Sequence, residues 1–323
     1  MRRLAVMTSG GDAPGMNAAI RAVVRCGIAR GFETLGIYNG YRGLAQGEIQ
    51  PLTRRDVGGI IHLGGTKLGT ARHEPLKTDA GRADAMKTIR GHELDALIVI
   101  GGNGSQSGAH ALHGEGAPVI GVASTIDNDL YGSDISIGAT TAVDTALDAI
   151  DRLRVTASAM RRAFLVEVMG RNCGYLALAA GIAGGAEVIV LPERQTDPPQ
   201  VAHELSSAYQ RGKSHAIGVV CEGARYDLNA LEEYFAVHRE RLGFELRVTR
   251  LGHIQRGGTP GAYDRMLGTM LGASAVEMAC EGRFGVLVGW REGRPATTRL
   301  AEVAGKFRPA DSRLIDLSRE LSE

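Results

Sequence analysis

Short apolar runs and helix-periodic stretches alternate along this chain, and most of the runs stop at glycine or at an acid. Leu4-Ala5-Val6-Met7-Thr8, Ala96-Leu97-Ile98-Val99-Ile100, Ala117-Pro118-Val119-Ile120-Gly121-Val122-Ala123, Phe164-Leu165-Val166-Glu167-Val168 and Ala216-Ile217-Gly218-Val219-Val220-Cys221 read as buried strands. Leu35-Gly36-Ile37-Tyr38, 187–192, 247–251 and 284–290 read as further extended segments. Residues 16–30 carry Ile20, Val23, Val24 and Ile28 on one stripe, and 140–154 carry Val143, Leu147, Ile150 and Leu153 at helical spacing. Helices are also expected over 82–90, 106–112, 172–183, 203–211, 228–242 and 267–281, with Pro198-Pro199 in a loop. Strand and helix in alternation over the whole length imply an α/β protein with mostly parallel sheets. No internal repeat emerges from the spacing.

At 323 residues and 44% hydrophobic composition the chain suffices for one large domain or two ordinary ones. Net charge is +1, so no global attraction to nucleic acid or to an anionic membrane is expected, and any anion site must be local. Cys26, Cys173, Cys221 and Cys280 lack metal spacing and read as free thiols of a reducing cytosol, hence a cytoplasmic protein. The apolar run after Met1-Arg2-Arg3 is too short for a signal peptide, and no segment reaches the ~18 apolar residues of a membrane span.

Three strand ends carry chemistry. Ser9-Gly10-Gly11-Asp12-Ala13-Pro14-Gly15 and Gly101-Gly102-Asn103-Gly104-Ser105 each join a strand to a helix, an arrangement that aims backbone N–H groups at an anion. The first does not end in the Gly-Lys-Ser/Thr of a Walker loop, and by itself it also suits an ordinary βα turn. The third is Ser124-Thr125-Ile126-Asp127-Asn128-Asp129. Two acids so close resist ionising together unless a cation, water or donors stabilise them, which makes Asp127 a candidate base and Asp129 a candidate metal ligand; a surface turn is the alternative. Open parallel sheets bind ligands outside the carboxyl ends of their strands, so the convergence says more than any one loop.

Taken together, Gly10 to Ala19, Gly64-Gly65-Thr66, Gly101-Gly102-x-Gly104-Ser105, Thr125 to Asp129, Met169-Gly170-Arg171 and Gly252-His253-Ile254-Gln255-Arg256-Gly257-Gly258 resemble bacterial 6-phosphofructokinase, in order and through nearly the whole chain. The resemblance implies two Rossmann-like three-layer lobes, 1–138 plus 256–305 binding nucleotide and 139–255 plus 306–323 binding sugar phosphate, with the active site in the cleft between them and a homotetramer. It implies transfer of the ATP γ-phosphate to the 1-hydroxyl of fructose 6-phosphate with Mg²⁺. On that resemblance Asp127 would take the hydroxyl proton, Thr125 would contact the sugar end, and Gly11, Arg72 and Arg171 would serve the transferring group. Tyr41, Gly102, Asn103, Gly104 and Ser105 would join Gly11 and Arg72 on the nucleotide, and Asp129 and Asn103 would hold the metal. By the same resemblance Met169, Gly170, Arg171, Glu222, His253 and Arg256 would cradle the sugar phosphate together with Arg162 and Arg247 of a neighbouring copy. An effector, ADP or GDP or phosphoenolpyruvate, is implied at Arg21, Arg25, Arg54, Arg154, Glu187, Arg211, Lys213 and His215.

The pattern departs from the family at a few positions. Asn103 stands where ATP-dependent members usually have Asp, and it lacks the negative charge hard cations favour. Ser124 matches neither the Gly of ATP-dependent relatives nor the Lys of pyrophosphate-dependent ones, while Gly104 is the ATP-type residue. Leu76 and Lys77 replace the more usual aromatic and Arg near the adenine. The alternatives to an ATP-dependent enzyme are a catalytically weak paralogue acting as a sensor and a pyrophosphate-dependent enzyme.

Overall fold

The computed structural model describes residues 2–160 and 162–321. Met1 of the basic start and the last two residues of the expected smaller lobe lie outside that range. The chain forms two compact units, one of Met1–Ile126, Leu130–Thr141 and Arg256–Phe307, the other of Asp127–Asp129, Ala142–Gln255 and Arg308–Glu323.

The first unit begins β1 (Arg3–Ser9), α1 (Met16–Ala29), β2 (Glu33–Ile37), α2 (Gly40–Gln46), β3 (Ile49–Pro51), α3 (Asp79–Gly91), β4 (Ala96–Gly101), α4 (Asn103–Gly114) and β5 (Val119–Ala123). After α5 (Ala139–Met160) the second unit runs β6 (Ala163–Val168), α6 (Tyr175–Ala183), β7 (Val188–Val190), α7 (Pro198–Gln210), β8 (Ala216–Cys221), α8 (Leu228–Val237), a short α9 (Arg239–Leu242) and β9 (Leu246–Arg250). The chain then returns to the first unit with α10 (Ala262–Cys280), β10 (Val286–Arg291), β11 (Arg294–Arg299) and α11 (Leu300–Val303), and α12 (Ser312–Glu320) belongs again to the second unit.

The larger sheet has the order β11-β10-β5-β4-β1-β2-β3, parallel except at its edges, where β11 and β3 run antiparallel to their neighbours. Its central strands β1, β4 and β5 are buried along their length apart from Arg3, as expected of a parallel sheet covered on both faces. The smaller sheet, β7-β8-β6-β9, is wholly parallel. Among the described residues no helix is long and apolar enough to cross a membrane.

Pro198-Pro199 open α7 rather than mark a loop, because Asp197 caps the helix by accepting from Gln200 N at 2.9 Å and the first helical positions need no N–H donor. The single helix expected over 228–242 breaks at His238 into α8 and α9.

Candidate active site

In the first unit the switch point of the larger sheet lies between β1 and β4, since β2 follows β1 on one side and β5 follows β4 on the other. The two strands end side by side, Ser9 opposite Gly101. A ligand in such a sheet belongs at this crevice. The loop after β1 uses Gly10 at φ 85, and Gly11 lies so close to the Arg256 guanidinium that a Cβ would collide with it. Arg256 is held there by donating from Nη1 to the Asp12 carbonyl at 3.1 Å. Thr70 donates to the Gly10 carbonyl at 2.7 Å and Thr8 shares a 2.8 Å hydrogen bond with Thr66. These bonds anchor the glycine-rich segment that ends at the exposed Arg72.

Across the switch point, Gly102 precedes α4 and Asn103 is its first residue. No side chain caps this helix and no acid lies in its first turn, so its first N–H groups offer the positive end of the dipole to an anion. The Ser105 hydroxyl is buried, has no hydrogen-bond partner among the described residues and lies against Gly10 and Gly101. The Tyr41 hydroxyl, whose pKa burial pushes up, donates to the Ser105 carbonyl at 2.5 Å. A Cβ on Gly104 would meet nothing within 4 Å, so there is open space above that residue. Thr125 packs beside Gly102, and its carbonyl accepts from Ser136 Oγ at 2.7 Å. Leu76 is buried and packs with the Tyr41 ring against Gly108, while Lys77 pairs with Glu74 at the surface.

Sequence reasoning passed over Gln106. It is fully buried on α4, and its Nε2 reaches the carbonyls of Gly101 at 2.9 Å and of Val99 and Val122 at 3.3 Å. It therefore fixes the ends of β4 and β5 behind the loops. Its signal in the sequence is a polar residue on the inward stripe of a helix.

In the second unit Asp127 is 6% exposed and Asn128 takes the left-handed conformation at φ 52, which Asn tolerates better than most residues. The Asp129 carbonyl accepts from Arg308 N at 2.8 Å. Met169, Gly170 and Arg171 follow β6, Glu222 follows β8 and His253 follows β9, all at the carboxyl ends of the smaller sheet. Glu222 accepts from Arg171 N at 3.3 Å. Cys173 and Cys221 lie beside this turn, and burial pushes both thiols up to about 12.

Arg162 and Arg247 sit elsewhere. Both contact Glu245 at 2.7 Å, next to the amino ends of β6 and β9. The length of β6, roughly 20 Å at 3.3 Å per residue, separates them from the Met169 turn. The structure brings these two arginines to each other and not to His253 or Glu222.

Of the expected effector residues, Arg154, Glu187, Lys213 and His215 gather in the second unit. Lys213 pairs with Glu187 at 2.8 Å, and Glu187 also accepts from Ile217 N at 2.5 Å. His215 shares a 2.8 Å hydrogen bond with Ser158. Burial pushes the His215 pKa down, helped by Arg154 and Lys213 and opposed by Glu187. Arg211 ends α7, whereas Arg21 and Arg25 stand one turn apart on α1 and Arg54 follows β3 in the first unit.

Asp127 and Asp129 supply carboxylate oxygens, the donor type a hard divalent cation takes. Among the described residues no three or more His, Cys, Asp or Glu side chains converge into a cage. Such a donor set fits a cation that keeps most of its ligands as phosphate oxygens and water, as Mg²⁺ does when it arrives with a nucleotide.

A family model described as Phosphofructokinase matches residues 3–279. The chain is 51% identical over 323 residues to an ATP-dependent 6-phosphofructokinase of Thermus thermophilus, covering 100% of both. It is 47% identical over 322 residues to one of Natranaerobius thermophilus, again covering 100% of both. Among solved structures it is similar to the Pichia pastoris phosphofructokinase in the T-state, with a TM-score of 0.88 and 35% identity, over 99% of this chain and 36% of that one.

Proposed function

Because this chain belongs to the phosphofructokinase family, we propose that it is an ATP-dependent kinase that moves the γ-phosphoryl group of ATP to the 1-hydroxyl of fructose 6-phosphate. The products are fructose 1,6-bisphosphate and ADP. The observation that carries this reading is the full-length similarity to enzymes named for ATP. The open space above Gly104 agrees with it, since a nucleotide needs room there that pyrophosphate does not.

The N–H groups of the Gly10-Gly11 loop and of the first turn of α4 receive the phosphates, and the Ser105 hydroxyl is positioned to satisfy itself on them. Arg72 and Arg171 neutralise charge on the transferring group. Asp127 accepts the proton of the 1-hydroxyl as the oxygen attacks phosphorus and the bond to the ADP oxygen breaks. Met169, Gly170, Glu222, His253 and Arg256 bind the sugar phosphate. Arg162 and Arg247, at the other end of the smaller sheet, serve the sugar phosphate of a second copy of the chain. Asp129 would hold a divalent cation such as Mg²⁺, with Asn103 able to offer a neutral oxygen, and the cation would offset phosphate charge when bound. The cluster of Arg154, Lys213 and His215, with Glu187 as its acidic member, takes an anionic effector such as a nucleoside diphosphate or phosphoenolpyruvate.

The experiment is the Asp127→Ser variant of the purified protein, assayed for turnover and, by calorimetry, for fructose 6-phosphate binding. Turnover should fall by about 10³-fold while sugar-phosphate binding persists. A variant with near-normal kcat removes Asp127 as the base.

A further inference from the structure

We infer that Gln255 is a positioning residue that holds the Met169–Arg171 turn in the form that receives the sugar phosphate; this rests on the reading of that turn as part of the fructose 6-phosphate site. Directly after β6 the chain bends through Gly170 at φ 138 and Arg171 at φ 49. The first angle needs glycine, and a Cβ there would collide with the Cys173 carbonyl. The second is a region a long side chain rarely occupies. A turn of this kind persists only where its surroundings over-determine it.

Gln255 is a main part of those surroundings. It is 0% exposed and stands at the end of the short 3₁₀ turn Gly252–Gln255. Its Oε1 accepts from Met169 N at 2.8 Å and its Nε2 faces the Ala142 carbonyl at 3.4 Å. The amide orientation is unambiguous, because Met169 N can only donate and the Ala142 carbonyl can only accept. The ladder of β6 with β8 ends at Val168 opposite Cys221, so Met169 N lies beyond the sheet bonds and takes its acceptor from this side chain. Glu222 accepts from Arg171 N on the other side of the bend. Gln255 also lies two residues after His253 in the chain, and so ties the segment bearing that histidine to the turn. Packing alone does not call for an amide here, since leucine or methionine fills a similar volume; the amide is needed because both ends of it are used.

The chemistry separates two substitutions. Gln255→Leu removes the acceptor and leaves Met169 N without one. Gln255→Glu, when protonated, reproduces both bonds; when ionised it points a charge at the Ala142 carbonyl. Both variants of the full chain are assayed for kcat and for the KM of each substrate, and fructose 6-phosphate binding is measured by calorimetry from about pH 6 to 9. For Gln255→Leu the KM and Kd for fructose 6-phosphate should rise about tenfold or more while the KM for ATP stays within about twofold. Gln255→Glu should match the parent protein at the acid end and lose fructose 6-phosphate affinity, relative to the parent at the same pH, as pH rises. If Gln255→Leu does not fold, the acid-end recovery of Gln255→Glu decides the matter. Parental fructose 6-phosphate binding in Gln255→Leu, or a Gln255→Glu curve that tracks the parent at every pH, overturns the inference while leaving the kinase reading intact. A parent protein that neither binds nor phosphorylates fructose 6-phosphate overturns the kinase reading instead.

Discussion

On the proposed cation site, Asn103 is the residue expected to limit the rate. It opens α4 beside the switch point, where an acid would serve both the cation and the helix. Its amide oxygen accepts but carries no charge, and the missing charge amounts to a few kcal/mol of transition-state stabilisation if the cation uses that position. Asn103→Asp should therefore raise kcat with ATP and Mg²⁺ by about tenfold or more. The same change places a negative charge in the first turn of α4 and should stabilise the fold by about 0.3–1 kcal/mol, read as a small rise in Tm. A flat or lower kcat beside a raised Tm shows that the cation does not use position 103. Cys173 and Cys221 make a second prediction at this scale. Both folded-state thiols titrate near 12, above the ordinary 9.0, so the native state keeps its protons where the unfolded chain loses them. Stability is thus full below pH 9 and declines as pH rises toward 12. Alkylation in native protein near pH 8 should label the exposed Cys280 and spare Cys173 and Cys221, and mass spectrometry of the peptides checks it. Rapid labelling of Cys221 contradicts its burial.

Among the elements, α5 starts on a carboxylate borrowed from α10. Asp264 is fully buried and accepts from Gly138 N at 2.8 Å, from Thr141 N at 2.7 Å and from Thr141 Oγ1 at 2.6 Å. It combines a helix cap with a favourable charge at the helix N-terminus. Asp264→Ala should cost about 3–5 kcal/mol of stability, because the donors it leaves are buried; chemical denaturation measures the loss, and a change below about 1 kcal/mol contradicts the assignment. Asp264, Gln106 and Gln255 share a reason for being hard to read in the sequence. Each is a polar side chain whose partners are mainly backbone groups, many of them distant in the chain, and no spacing rule links them. Strand ends were legible for the opposite reason: β1, β4 and β5 are continuous apolar runs stopped by Gly or a polar turn, so local composition marks them. The edge strand β11, Arg-Pro-Ala-Thr-Thr-Arg, hid because an edge needs no apolar run and tolerates proline. α2 hid behind glycines at both its first and fourth positions.

Over the whole molecule, two mostly parallel sheets place most of the residues expected at the phosphates and the sugar at the carboxyl ends of their strands, the first around the β1–β4 switch point and the second around β6, β8 and β9. The exceptions are informative. Arg162 and Arg247 lie at the amino ends with Glu245, a carboxylate the sequence offered no reason to pick out. Four of the residues expected at an effector, Arg154, Glu187, Lys213 and His215, form their own cluster in the second unit. The chain order of motifs was enough to expect the family, since their joint spacing is specific even where each motif alone is ordinary. The chain, similar along its full length to ATP-dependent 6-phosphofructokinases, is expected to phosphorylate fructose 6-phosphate from ATP. The purified chain, given fructose 6-phosphate with ATP and Mg²⁺ and, separately, with pyrophosphate and Mg²⁺, should form fructose 1,6-bisphosphate and ADP in the first mixture and no product in the second. Product from pyrophosphate alone, or substrate binding without turnover in either mixture, contradicts the account.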